Sequence, residues 1–93
     1  MIPDNISRED VLRALEKLAR SGAPRRRQST RYLLAHGDRG YPPRYVLAVA
    51  NTFANGWELH PTALGGGGEA NAYLKKLGFT IVTMERGLQI KYH

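Results

Sequence analysis

The sequence predicts a small α+β domain: about three helices with short antiparallel strands and hairpins, in the order α-β-(β)-α-α-β-β. Three observations carry this prediction. Apolar residues recur at helical spacing in segments bounded by glycine or proline. A β-branched alternating run, Phe79-Thr80-Ile81-Val82-Thr83-Met84, follows the last of those segments. The chain has 93 residues with 42% hydrophobic content, enough for a single core and little else.

The first helix is expected at about residues 8–20. Ser7 can cap it, and Asp10 at the third helical position can close a variant capping box. Ile6 and Val11 flank the cap as a hydrophobic-staple pair, and Glu9 and Asp10 complement the positive end of the helix dipole. Val11, Leu12, Leu15, Leu18 and Ala19 then form the apolar face. The polar face carries Arg8, Arg13, Glu16, Lys17 and Arg20, and Gly22 stops the helix. Residues 22–28 read as an irregular loop, because Pro24 and three adjacent arginines disfavour regular structure.

A strand is expected at about 30–36, then a turn over Gly37-Asp38-Arg39-Gly40, with Tyr41 pairing back as a short second strand. Pro42-Pro43 starts the second helix, since proline suits its first position. Tyr45, Val46, Val49, Ala50 and Phe53 form its buried face, and Asn55-Gly56 ends it. Trp57, Leu59 and Leu64 read as packing anchors for the next connection. A third helix enters through Gly65-Gly66-Gly67-Gly68 and ends at Gly78. The strand 79–84 follows, and residues 88–92 are expected to return antiparallel to it. The whole of 1–93 reads as one domain, with its body at about 6–84.

Charge is distributed unevenly. The formal net charge is +6, and all of that excess lies between Arg20 and Arg44. That segment holds Arg20, Arg25, Arg26, Arg27, Arg31, Arg39 and Arg44 against one acid, Asp38. All its basic groups are arginine, whose planar fork suits bidentate phosphate contact. The segment therefore reads as a phosphate-binding surface; the competing reading is a solvated, soluble face. Tyr32, Tyr41 and Tyr45 interleave with the arginines, either to stack on bases or to build core, and Tyr41 is expected to be the exposed one. The second helix is the element expected to face DNA, with Arg44 on the backbone. Asn51, two turns further along the same face, either bonds a base edge or serves local hydrogen bonding near the helix end.

Several function classes have no support. There are no cysteines, so disulfides, thiolate zinc sites and cysteine nucleophiles are excluded. His36, His60 and His93 show no metal-ligand spacing, and no metal or cofactor is expected. A triad of Ser29, His36 and Asp38 lacks any nucleophile elbow. The glycine-rich entry to the third helix lacks the Gly-Lys-Ser/Thr of a phosphate-binding loop. Glu69 follows instead, so the glycines read as structural. His36 is placed to contact a phosphate or cap its turn. The N-terminus has no secretory pattern and no apolar run is long enough for a membrane span, which points to the cytoplasm and no membrane partner.

An ordered series of residues adds to this reading. Ile6-Ser7-Arg8-Glu9-Asp10-Val11, Ser29-Thr30-Arg31-Tyr32, His36-Gly37 and Tyr41-Pro42-Pro43-Arg44-Tyr45-Val46-Leu47 come first. Ala50-Asn51, Leu59-His60-Pro61, Gly67-Gly68-Glu69-Ala70-Asn71, Leu74 and Leu77-Gly78-Phe79 follow. Together they resemble the N-terminal head domain of McrA-like, modification-dependent (type IV) restriction endonucleases, over about residues 6–83. The departure is Leu64-Gly65-Gly66, where that family usually places an aromatic residue and a serine before the glycine pair. In such enzymes a separate His-Asn-His nuclease module cuts, and nothing in this sequence matches that motif. The resemblance implies a non-catalytic, DNA-binding accessory domain of a restriction or defence system. Its implied partners are nucleic acid, DNA rather than RNA, and a nuclease module or subunit. From the charge and aromatic pattern, the candidate nucleic-acid contacts are Arg25, Arg26, Arg27, Arg31, Arg39, Tyr41, Arg44 and Asn51. The alternative is a protein-interaction or oligomerisation module with a basic face.

Overall fold

Ser7 opens the first helix in the computed structural model, which describes residues 1–29, 31–65 and 67–84. Its side chain accepts from the Asp10 amide while the Asp10 carboxylate accepts from the Ser7 amide, so the capping box is complete. Helix α1 spans Arg8–Ser21 and buries Val11, Ala14, Leu15 and Leu18. Gly22, at φ 73°, ends it with its amide on the Leu18 carbonyl at 2.7 Å. The expected loop after it contains a 3-10 turn, Arg25–Arg27. Pro24 starts that turn: its carbonyl accepts from the Arg27 amide at 2.9 Å. Like charge does not prevent the turn, because three residues per turn point the three side chains in different directions.

Strands β1 (Tyr32–His36) and β2 (Arg39–Tyr41) form a hairpin in which His36 pairs with Arg39. The turn is therefore the two residues Gly37-Asp38, tighter than the four expected, with Gly37 at φ 65° in the glycine-first geometry that suits a hairpin. Strand β3 (Thr80–Thr83) pairs antiparallel on the other edge of β1, giving the order β2-β1-β3. Tyr41, Leu34 and Ile81 lie in one cross-strand row, and buried Leu34 marks it as the core face. The expected strand 88–92 lies outside the described residues.

Helix α2 (Pro43–Asn55) runs through the centre, packing on α1, on the third helix α3 (Gly67–Lys76) and on β1. Every residue from Val46 to Asn51 is buried. This overturns the expectation of a single buried face. Phe53, expected inside, lies beyond the packed stretch and is 42% exposed. Gly56, left-handed at φ 100°, caps α2 as expected. Helix α3 ends in a Schellman motif: the Phe79 amide reaches the Leu74 carbonyl and the Gly78 amide the Lys75 carbonyl, with Leu74 and Phe79 both buried. At the other end of α3, Gly65 has φ 67°, and a Cβ there would overlap the Glu69 carboxylate. The structural reading of the glycines holds at that position.

Two side chains tie the ends together. Arg8 donates to the Leu77 carbonyl at 2.7 Å and lies 4.6 Å from the centroid of the Phe79 ring. The Tyr73 hydroxyl accepts from the Ile6 amide at 3.0 Å and donates to the Ile6 carbonyl at 2.9 Å. Tyr73→Phe should therefore cost about 1–2 kcal/mol of stability, read as a lower midpoint in urea denaturation with an unchanged slope. Burial, the leading cause, raises the Tyr73 pKa above its ordinary 10.0; the Ile6 backbone bond opposes this, and Asp4 and Asp10 add to it. A raised folded-state pKa means full stability below pH 10 and progressive loss above it. Wild-type melts above pH 10 should fall more steeply than those of Tyr73→Phe.

Candidate nucleic-acid interface

Helix α2 reaches the surface at its two ends, and its first turn is the end that faces the arginines. Pro42 and Pro43 are buried, Pro42 supplies no side-chain cap, and Arg44 and Tyr45 emerge half-buried. The first intrahelical bond runs from the Val46 amide to the Pro42 carbonyl, at 2.9 Å. The 3-10 turn packs beside this end. Arg27 folds inward, with its guanidinium 4.7 Å from the centroid of the Tyr45 ring and 3.6 Å from the Glu58 carboxylate. Burial is the main cause that raises the Tyr45 pKa; the Glu58 charge adds to it and Arg27 opposes it. The phenol therefore stays neutral through the physiological range and presents an uncharged ring to the cation. Arg44 donates to the Pro61 carbonyl at 3.0 Å, which holds its side chain against that backbone.

These contacts frame a cleft of ≈ 260 Å³ lined by Arg26, Arg27, Arg44, Ser29, Tyr45 and Pro61. Three of the predicted arginines thus converge from two elements. Arg25 is exposed on the same turn, and Arg31 is exposed immediately before β1. Among the described residues the one ion pair is Arg27–Glu58, so the positive charge around the cleft is neutralised at one point only. Sequence reasoning assigns no part in this site to Glu58, Ser29 or Pro61, because the fold brings them in from separate segments.

The structure places the other predicted residues elsewhere. Arg39 donates to the Ala19 carbonyl at 3.2 Å, in the last turn of α1, and lies 5.2 Å from the centroid of the Tyr41 ring. Tyr41 is a correction: expected exposed, it is 6% exposed, because its pairing with Leu34 turns it to the core face. It helps line a separate groove of ≈ 390 Å³ together with Glu9, Arg13, Glu16 and His36. Asn51 is also corrected as a base contact, and α2 as a groove-facing helix. Asn51 is fully buried, its amide donates to the Trp57 carbonyl at 2.8 Å, and its oxygen accepts from Asn55 at 2.6 Å. The local hydrogen-bonding reading of Asn51 is the one observed. His36 packs edge-on to Phe79, with ring centroids 6.3 Å apart, and shows no turn-capping bond. Trp57, expected to be an anchor, is 56% exposed; its backbone is held and its ring is not.

Among the described residues, no three His, Asp or Glu side chains gather as a metal set. None of the described helices is long and apolar enough to cross a membrane. Fold and site together define a small α+β domain with an arginine-lined cleft at the start of its central helix. The family model described as "ScoMcrA-like, N-terminal head domain" matches residues 4–83, and the chain belongs to that family. Comparison of the chain with curated proteins and with solved structures found no match.

Proposed function

We propose that this head domain is a non-catalytic, cytoplasmic DNA-binding accessory of a restriction-type nuclease, gripping the phosphate backbone at the arginine cleft. The convergence of Arg26, Arg27 and Arg44 on one cleft carries the reading. An uncapped helix N-terminus beside it adds partial positive charge. Membership of the head-domain family supports the accessory role. Arg25 and Arg31 extend the reach along a backbone. Tyr41 lines the other groove, where Glu9 and Glu16 would repel a polyanion, and Arg39 bonds beside it to Ala19; both leave the proposed contact set along with Asn51.

Fluorescence anisotropy with a labelled duplex tests this. Binding is expected at about 50 mM salt, weakening steeply by about 200 mM as counterion release loses its advantage. No binding at the lower salt would overturn the proposal. The mixed-charge groove between α1 and the sheet favours a second reading, a protein-docking module. Under that reading the domain would comigrate with its nuclease subunit on size exclusion and ignore DNA.

A further inference from the structure

Residues 57–61 run back along α2 in a fixed register. Asn51 holds the Trp57 carbonyl at 2.8 Å, the Leu59 amide donates to the Ala48 carbonyl at 3.2 Å, and Arg44 donates to the Pro61 carbonyl at 3.0 Å. This strap starts at an exposed indole and ends at the arginine cleft. The buried amide of Asn51 fixes the backbone of Trp57, yet the ring itself is 56% exposed. Phe53, 42% exposed in the last turn of α2, adds a second open ring at that end. Glu58, next in sequence to Trp57, lies 3.6 Å from Arg27 of the cleft.

We infer that Trp57 is a stacking platform for an unpaired DNA base whose neighbouring phosphates occupy the arginine cleft. Asn51 and Arg44 are seven residues apart on α2, about 10 Å along its axis. At the stacked duplex rise of about 3.4 Å that is on the order of three steps, and an unstacked strand covers it in fewer. An exposed apolar ring, on a backbone held in register with a cationic cleft, combines the two elements that hold single-stranded nucleic acid: a stacking face and a charged track. Charge complementarity selects a polyanion as the occupant. The indole face selects a base over a bare phosphate, and the base must be unstacked, because duplex DNA hides its base faces. Single-stranded or locally opened DNA is therefore the preferred ligand. The inference rests on the DNA-binding proposal and adds a preference that the cleft alone does not have.

Trp57 is the single tryptophan of the chain, so its fluorescence reports on the site directly. The test compares an unlabelled mixed-sequence single strand, the same strand with abasic sites, and the duplex; labelled copies give affinity by anisotropy. The expected result is strong indole quenching by the single strand and little by the abasic strand or the duplex. Trp57→Ala should weaken single-strand binding about tenfold, with duplex affinity nearly unchanged, and Trp57→Phe should recover most of the loss. Circular dichroism of both variants should match the wild type, since an exposed ring is removed. Single-strand binding by anisotropy without quenching, or unaltered in Trp57→Ala, overturns the platform and leaves the cleft proposal standing. No anisotropy change with any DNA overturns both.

Discussion

Asn51→Ala should destabilise the domain by about 2–3 kcal/mol with no DNA present, because a hydrogen-bond network would lose the fully buried amide at its centre. Asn51 links the Trp57 carbonyl to Asn55, and Asn55 exchanges reciprocal bonds with Asn5, at 2.8 and 3.0 Å. Four segments of the chain thus share one chain of hydrogen bonds: the N-terminal arm, the middle of α2, its end, and the strap. Alanine orphans the Trp57 carbonyl and leaves a cavity in a helix packed on all sides. For a domain of this size the loss corresponds to a midpoint lower by on the order of 10–20 °C in a thermal melt. Asn51→Leu refills the volume but not the hydrogen bonds, so it should rescue little. A melt within about 2 °C of wild type, together with lost DNA affinity, would return Asn51 to the role of a base contact.

The elements most legible in the sequence were those closed by local chemistry. The Ser7–Asp10 box, the glycine stop at Gly22, the proline start of α2 and the Gly56 cap are short-range, and each lies where its residues predict. The pairing of β3 with β1 is not local, and alternation alone does not name a strand's partner. Burial on α2 was misread for a related reason. Helical period predicts one apolar stripe, but a helix enclosed by α1, α3 and β1 is buried all round, which takes in Asn51 and releases Phe53 at the end. Charge was legible as a quantity and not as a place. The arginine segment carries the whole net charge, yet the hairpin sends Arg39 to the α1 side while the 3-10 turn and the start of α2 bring Arg26, Arg27 and Arg44 together. A tryptophan between helices ordinarily reads as a packing residue, whereas the ring of Trp57 lies outside on a backbone held by Asn51.

That division of the arginines yields the largest expected effect on binding. Arg25 and Arg26 are exposed, and Arg27 and Arg44 also bond within the protein, so substitution should separate binding from stability. Replacing Arg25 and Arg26 together by alanine should weaken duplex DNA roughly 10–100-fold at about 0.1 M salt, and the log–log salt slope should become shallower by about 1.8, or about 0.9 for each lost phosphate contact. The thermal midpoint should not change, since neither side chain supports the fold. Arg44→Ala should weaken binding and also lower the midpoint modestly, because the Pro61 carbonyl loses its donor. Arg39→Ala is the decisive comparison. It removes the same unit of charge from the same stretch of sequence, so a diffuse electrostatic attraction would register it as fully as Arg26→Ala. If the cleft is the contact, Arg39→Ala leaves the salt slope unchanged, and its effect appears instead in stability, through the Ala19 carbonyl and the Tyr41 ring. Equal losses for Arg26→Ala and Arg39→Ala would mean that DNA is held by net charge and that the cleft has no privileged part in it.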